Sequence, residues 1–569
     1  MTAHAPPRSV SWLRRIGAAL LRGAEARPLA ALTLLVALQT ALTLQAKDVW
    51  VPDEVRHAAV LRALVEHGDW LVLSLGGEIY PDKPPLYFWF VALLEAVRGD
   101  TDPPLFMLAA AISGWLLIAT LVVVGRHALA LGRIPVLVAG GMLLSSWFFV
   151  ERLHQPRMDL LFAVFILAAH GAFYRGVLKP GAPSAGWIAT GAVAGALATL
   201  TKGPLGLALP LGGLLLYLLW QRRARLLVSR PVMTGLAAGL AVLAAYLVAV
   251  WAVSGPSALR LLLVDQTLQR AIDAPRLSGP VWFYAPVLLT AFLPWSLALL
   301  ALPGRDSLAA LRRGLRRGDA TAGPAPVAYL AAVLLGDLLL LSAIDYKNAF
   351  FLVPVMAPAA LLAAVLFARA GPPAGRRARG VVVAVLLVAG IAMPFVPDWT
   401  EWPDAVRGEA VMAVALLLAG VAALAAARLA ASGFVLVVAL VMSLAALPFY
   451  RITISGLDTV MAPRPLAAAL AAAARSGHAV AQFHPYQGNW FDYHSGLAIP
   501  ALHRGEEAAA FLSAARCSAL ALRRRDLARL PPRPEPHEVL AEQRLNGIDW
   551  LVAAWGPCDP PGPGTNRQK

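Results

Sequence analysis

A bilayer core about 30 Å thick takes ~20 consecutive apolar residues as a helix, and runs of that kind recur from residue 28 to residue 450 of this chain. Bounded by proline, glycine and charge, they fall at 28–46, 104–124, 134–150, 157–175, 185–201, 204–219, 232–252, 281–302, 325–343, 349–368, 380–396, 409–430 and 433–450. Thirteen expected spans point to an all-α polytopic membrane protein. Composition agrees, since 14% of the 569 residues are charged, where a soluble chain would be about 25% charged. A soluble multidomain enzyme and a singly anchored one are both excluded. The net charge of +16 invites a nucleic-acid reading. The arginines, however, sit in short clusters between apolar runs, where they orient helices in a membrane. Membrane lipids are expected partners and nucleic acid is not.

With a basic cytoplasmic segment at 1–27, one side of the membrane collects Arg14, Arg15, Arg222, Arg223, Arg225 and Arg230. Arg312, Arg313, Arg316, Arg317, Arg369, Arg376, Arg377 and Arg379 join them. The other side collects Asp53, Glu54, Asp82, Asp345, Asp398, Glu401 and Asp404. An odd number of spans preserves that separation and an even one scrambles it. Leu44-Gln45-Ala46 lacks the small-x-small pattern of a cleavage site, so the first run is retained as a span. Residues 451–569 change character. Short runs at Ala479–Phe483 and Cys517–Leu522 read as strands, and Glu538–Leu545 with Ile548–Trp555 flank Asn546-Gly547, a pair suited to a type I′ hairpin. This predicts a small α/β domain on the outer side, with an unstructured tail from Gly556. Its Cys517 and Cys558 form either one disulfide or two unrelated thiols.

Outer loops should be poor in Lys and Arg, yet here each of the first five carries a cation beside an apolar wall. The first loop, 47–103, starts with Pro52-Asp53-Glu54-Val55-Arg56-His57-Ala58, where helical spacing puts Asp53, Arg56 and His57 on one face. Asp53 would also suit a helix N-cap. The loop runs on through Tyr80-Pro81-Asp82-Lys83-Pro84-Pro85, where prolines fix Lys83 at headgroup depth as a snorkelling anchor or a fixed cation for a lipid phosphate. Glu151–Asp159 includes Arg157, a tight turn holds Lys202, Asp265–Arg270 forms the fourth loop, and Asp345-Tyr346-Lys347-Asn348 precedes Phe351. Such a set suits an amphipathic substrate with a phosphate at headgroup level and a long apolar tail.

Four motifs, Asp-Glu-x-Arg-x-Ala at Asp53–Ala58, Lys-Pro-Pro-Leu at Lys83–Leu86, Arg-Met-Asp at Arg157–Asp159 and Thr-Lys-Gly-Pro at Thr201–Pro204, occur in this order. They are followed by Leu268-Gln269-Arg270, Trp282–Tyr284, Pro294-Trp295, Lys347 and Pro354. In this the chain resembles the ArnT-like polyprenyl-phosphate-sugar glycosyltransferases, relatives of the protein O-mannosyltransferases with the membrane GT-C fold, over roughly 28–450. The resemblance implies an undecaprenyl-phosphate-linked sugar donor, transfer with inversion, and a lipid A-like glycolipid, glycan or protein acceptor at the periplasmic face of a bacterial inner membrane. A monomer is expected. Carried over by position, Asp53 is the acid–base residue with Arg56 beside it. Lys83, Arg270, Lys202 and Lys347 hold the donor phosphate, and Glu54, His57, Asp82, Arg157, Asp159 and Phe351 line the cavity. No cofactor is required, while Asp82 and Asp159 are candidate ligands for a divalent metal ion. Three positions depart from the family pattern: His57 replaces a usual Tyr, Asp82 a frequent Glu, and Phe351 an aromatic hydroxyl.

An inverting displacement needs one base and one anion clamp and no covalent nucleophile. The competing function is a transporter or flippase of a lipid-linked sugar, which would place its charges mid-bilayer. Asp337, inside the run 325–343, is the main residue of that kind and otherwise reads as a polar contact in a cavity wall.

Overall fold

The computed structural model describes residues 8–177, 183–263, 279–302, 326–395, 409–483, 489–528, 530, 537–556 and 558. Arg270 and its loop, the arginines at 312–317, Asp398, Glu401, Asp404 and the tail after 558 lie outside the described residues.

Every apolar run read from the sequence contains helix. Among the described residues, seven helical segments are long and apolar enough to cross a membrane: Pro103–Ala128, Asp159–Val177, Arg230–Leu263, Pro326–Ala343, Ala349–Ala368, Pro372–Phe395 and Ala431–Ile454. Pro28–Thr40, Arg133–Leu144, Leu205–Trp220 and Ala410–Ala426 are shorter apolar helices. Ala185–Lys202 packs between Asp159–Val177 and Arg230–Arg260. The run 281–302 departs from a single span. It divides into Tyr284–Ala291 and Trp295–Leu300, because Pro294 has no amide hydrogen for the helical ladder. Trp295 at the break is fully buried, and its indole N–H donates to Ser145 Oγ at 3.0 Å.

Lipid tails are as apolar as leucine, so membrane helices associate through close packing of small residues. The turn at Thr201–Pro204 depends on this. Gly203 adopts φ +99°, in the region that favours glycine, and Pro204 lies just before the helix Leu205–Trp220. At Gly206 a β-carbon would lie 2.1 Å from the Thr199 backbone nitrogen, which cannot yield as a flexible side chain could. The hairpin thereby fixes Lys202, the last residue of its helix, at one end of the bundle.

Seven strands are described. β1 (Ser74–Leu75) and β2 (Glu78–Ile79) form a small hairpin in the first loop. β3 (Ala479–Phe483), β4 (Ala501–Leu502), β5 (Ser518–Arg523), β6 (Glu538–Leu545) and β7 (Ile548–Trp555) form a mixed sheet of order β4-β3-β5-β7-β6. β3 runs parallel to β4 and β5, while β7 is antiparallel to β5 and β6. Asn546 and Gly547 both have positive φ, as a type I′ turn requires. Alternate side chains serve opposite faces. Ala519, Ala521, Trp550, Val552 and Ala554 pack with Leu466 and Leu470 of the helix Arg464–Arg475 and with the first loop. Leu520, Leu522, Leu551 and Ala553 pack with Leu512 of the helix Gly505–Ala514. Both faces are covered, and one shares a continuous core with Val55, Leu61, Phe88 and Phe106 of the membrane-proximal part. Cys517 and Cys558 are joined, with Cα atoms 5.6 Å apart.

Candidate active site

Asp53 is the first residue of the helix Asp53–His67, and its side chain does not serve as a cap. It accepts instead from Arg157 Nη1, in a short ion pair, and lies 3.9 Å from Arg56 Nη1. Arg56 Nη2 donates to Asp82 Oδ2 at 2.8 Å. On the other side Arg157 Nε donates to Asp159 Oδ2 at 3.1 Å, and Asp159 also takes Lys202 in a short ion pair. Residues from two loops and one helical turn thus form an alternating ladder, Asp82–Arg56–Asp53–Arg157–Asp159–Lys202. Asp159 is its most buried member, with a side chain 2% exposed, and Asp53 is its open rung at 37%.

Aromatic rings brace the cations. The Phe350 ring lies 3.9 Å from the Arg157 guanidinium carbon and 4.3 Å from that of Arg152, and Phe351 lies 4.7 Å from Lys202 Nζ. Stacked guanidinium groups of this kind are favourable by about 0.5–2 kcal/mol. Phe351 therefore meets the ladder through its ring face and contributes no hydroxyl. Lys83 follows Asp82 directly, and its charge reaches buried His57.

Not every expected residue converges. Lys347 Nζ donates to the carbonyls of Leu341 at 3.2 Å and Ser342 at 2.7 Å, with a short bond to Ile344, so it completes the end of the helix Pro326–Ala343. Replacing it with Met should cost about 1–3 kcal/mol of stability by orphaning those carbonyls, read as a lowered unfolding temperature with donor KM unchanged. Glu54 turns away from Asp53 to a short, buried ion pair with Lys47. His57 is 3% exposed against Tyr87 and Phe88, and burial lowers it to about 3, so it is neutral at physiological pH. Arg270 lies outside the described residues. Lys47, Phe350 and the C-terminal Asp458, which meets the first loop, had no local sequence signal to mark them.

Burial acts to raise the Asp53 carboxyl, but the charge and hydrogen bond of Arg157, with Arg56 behind them, outweigh it and hold the group at about 2. The cluster does not fit the divalent ion considered for Asp82 and Asp159. Asp82 is taken by Arg56 and Asp159 by both Arg157 and Lys202, so an added dication would meet the cations that already neutralise these oxygens. Among the described residues no group of three metal-binding side chains occurs. Asp337 is fully enclosed and faces His170 Nε2 at 3.3 Å, within the helix bundle and away from the ladder.

A polytopic bundle with a charged cluster at one end, beneath a small α/β domain, is the membrane GT-C architecture. Within that class its fold is similar to that of ArnT. The crystal structures of ArnT from Cupriavidus metallidurans superpose with TM-scores of 0.74 bound to undecaprenyl phosphate, covering 93% of this chain and 98% of that one, and 0.76 in the apo state, covering 94% and 100%. Both are 20% identical in sequence, so the likeness is one of fold. The dolichyl-phosphate-mannose-protein mannosyltransferase family matches residues 82–251. Undecaprenyl phosphate-alpha-4-amino-4-deoxy-L-arabinose arabinosyl transferases from Aeromonas salmonicida and Pseudomonas aeruginosa are each 31% identical, the first over 59% of both chains, the second over 60% of this chain and 61% of its own. The matched region thus spans about 60% of the length of these relatives.

Proposed function

We propose that this chain is an inverting glycosyltransferase that moves a sugar from undecaprenyl phosphate to an envelope acceptor at the periplasmic face of a bacterial inner membrane. The observation that carries the reading is the ladder, in which Arg56, Arg157 and Lys202 alternate with three carboxylates. Its chemistry suits the reaction. The bond between the anomeric carbon and the donor phosphate oxygen breaks, the electron pair leaves with the phosphate, and its charge grows from about −1 to nearly −2. Cations already in place stabilise that change without reorganising. The acceptor oxygen attacks the opposite face of the sugar.

The state of Asp53 bears on the acceptor. A carboxylate held at about 2 is a weak base. An acceptor that arrives ionised, such as a phosphate of a lipid A-like glycolipid, needs no proton removed, whereas an alcohol does. We therefore favour the phosphate acceptor over a glycan or protein hydroxyl, with Asp53 orienting the reacting groups and balancing positive charge at the anomeric carbon. Lys83 and Arg270 are assigned to the donor phosphate. The arginines support this orientation, since Lys202 ends one arm of a helical hairpin and Arg222 and Arg223 follow the end of the other. A transporter would place its charges along a path through the bundle, whereas the His170–Asp337 pair is enclosed among the described residues.

The test is mass spectrometry of envelope lipids from cells lacking the protein, complemented with wild type or with Asp53→Asn. Accumulated polyprenyl-phosphate sugar and an acceptor lighter by one sugar, in the deletion and the Asp53→Asn strain alike, are expected. Unchanged lipids in both strains would overturn the lipid-acceptor reading.

A further inference from the structure

The helix that begins at Asp53 has no capping side chain of its own, and Pro52 occupies the position before it. Its first turn starts from Trp50, whose carbonyl accepts from the amides of Glu54 at 3.1 Å and Val55 at 3.2 Å. The Glu54 carboxylate in turn accepts from the Trp50 amide at 2.9 Å, and Lys47, ion-paired to Glu54, lies 4.1 Å from the centre of the Trp50 ring. The other edge of that indole leaves the first loop altogether. Trp50 Nε1 donates to Asp458 Oδ1 at 2.7 Å, and Asp458 also accepts from the Asp48 amide at 3.0 Å. Beside it the Val51 amide donates to the Met461 carbonyl at 3.1 Å, and Asp48 forms a short ion pair with Arg464. Residues 47–51 are thus fastened at several points to 458–464, where the C-terminal domain begins, about 400 residues away.

From this geometry we infer that Trp50 and Asp458 are positioning residues, through which the C-terminal domain sets the height and direction of Asp53 against Arg157. Neither touches a reacting atom. Trp50 fixes where the helical turn begins, and Asp458 fixes Trp50. Freed from Asp458, the indole can rotate, the uncapped first turn can fray, and the carboxylate moves relative to the sugar. Displacements near 1 Å at a reacting group cost up to about 100-fold in rate. The inference rests on the proposed role of Asp53, and it gives the C-terminal domain a part in the reaction beyond covering the membrane end.

The experiment uses the full-length chain in lipid nanodiscs, with undecaprenyl-phosphate-4-amino-4-deoxy-L-arabinose as donor and lipid A as acceptor. Trp50→Phe removes the N–H donor and shortens the ring that Lys47 lies over, Asp458→Leu removes the acceptor for both the indole and the Asp48 amide, and Asp458→Asn keeps an oxygen for the indole. We expect Trp50→Phe and Asp458→Leu to lower kcat about 10- to 100-fold, with donor KM within about twofold and the unfolding temperature within about 2 °C. Asp458→Asn should recover most of the rate. The double variant should be slowed by clearly less than the product of the two single effects, because both remove the bond between the indole and Asp458. Hydrogen–deuterium exchange over residues 50–58 gives a readout that needs no substrate, and it should quicken about 10-fold or more in Trp50→Phe. Wild-type kcat and unchanged exchange in that variant would overturn the inference, as would losses that simply follow unfolding temperature. An inactive wild type whose exchange still responds to Trp50→Phe would instead count against the proposed substrates and leave the mechanical link standing.

Discussion

Replacing Asp53 with Asn should lower kcat by about 100- to 1,000-fold, the range typical for loss of one group that stabilises charge at the reacting centre, while the protein folds and still binds donor. The substitution keeps the shape and an oxygen that can accept from Arg157, so the ladder survives at reduced strength. What disappears is the negative charge at the open rung. Steady-state kinetics with a lipid-linked donor would measure it, alongside the unfolding temperature. Because Arg157 holds the carboxyl at about 2, Asp53 stays ionised throughout the range in which a membrane enzyme is assayed. The wild-type rate should therefore show no limb from Asp53 between about pH 5 and pH 8, and a limb near neutrality that vanishes in Asp53→Asn would mean that the carboxyl is a proton acceptor with a raised pKa. Turnover by Asp53→Asn equal to wild type would end its assignment.

The helices were readable because lipid imposes one rule on the whole chain: every backbone polar group must be satisfied within its own segment. Thirteen apolar runs therefore correspond to helix, even where Pro294 divides the run 281–302. Ends were less readable. The first run, expected to continue to residue 46, stops as a helix at Thr40, and its remaining residues form turns before the loop that starts at 47. The hairpin around Asn546-Gly547 was legible for a local reason, since two adjacent positive φ values select those residue types.

At the site, helical spacing correctly put Asp53 and Arg56 together, but grouped them with His57, whose ring is drawn into the core by Tyr87 and Phe88. Spacing along one helix tells which residues share a face and not which neighbour that face meets. The same blindness applies to Lys347, expected on the donor phosphate and found on the carbonyls ending its neighbouring helix. Asp458 shows the limit most clearly. Its partner Trp50 lies about 400 residues away, and no pattern within either segment announces the pair.

Arg157→Gln should be the second large effect, because Arg157 bridges two carboxylates and a neutral amide can replace neither ion pair. Buried Asp159 would retain Lys202 alone. Breaking a buried ion pair costs about 3–5 kcal/mol when the remaining charge has no other partner, so with Lys202 still present a loss near the lower figure, about 3 kcal/mol, is expected. Asp53 adds little to that sum, since it is open enough to turn to water. Its contribution appears in the pH dependence. A carboxyl depressed from near 3.9 to about 2 in the folded chain lends stability that is complete above the unfolded value and disappears as pH falls through the folded one. Unfolding temperatures measured from pH 6 down to pH 2 should accordingly fall in the wild type below about pH 4 through this group, and Arg157→Gln should flatten that part of the curve while lying below wild type at neutral pH. The same variant should lower kcat at least tenfold, because Asp53 loses the guanidinium that aims it. A variant matching wild type in both stability and rate would mean that the guanidinium between Asp53 and Asp159 does not organise the site.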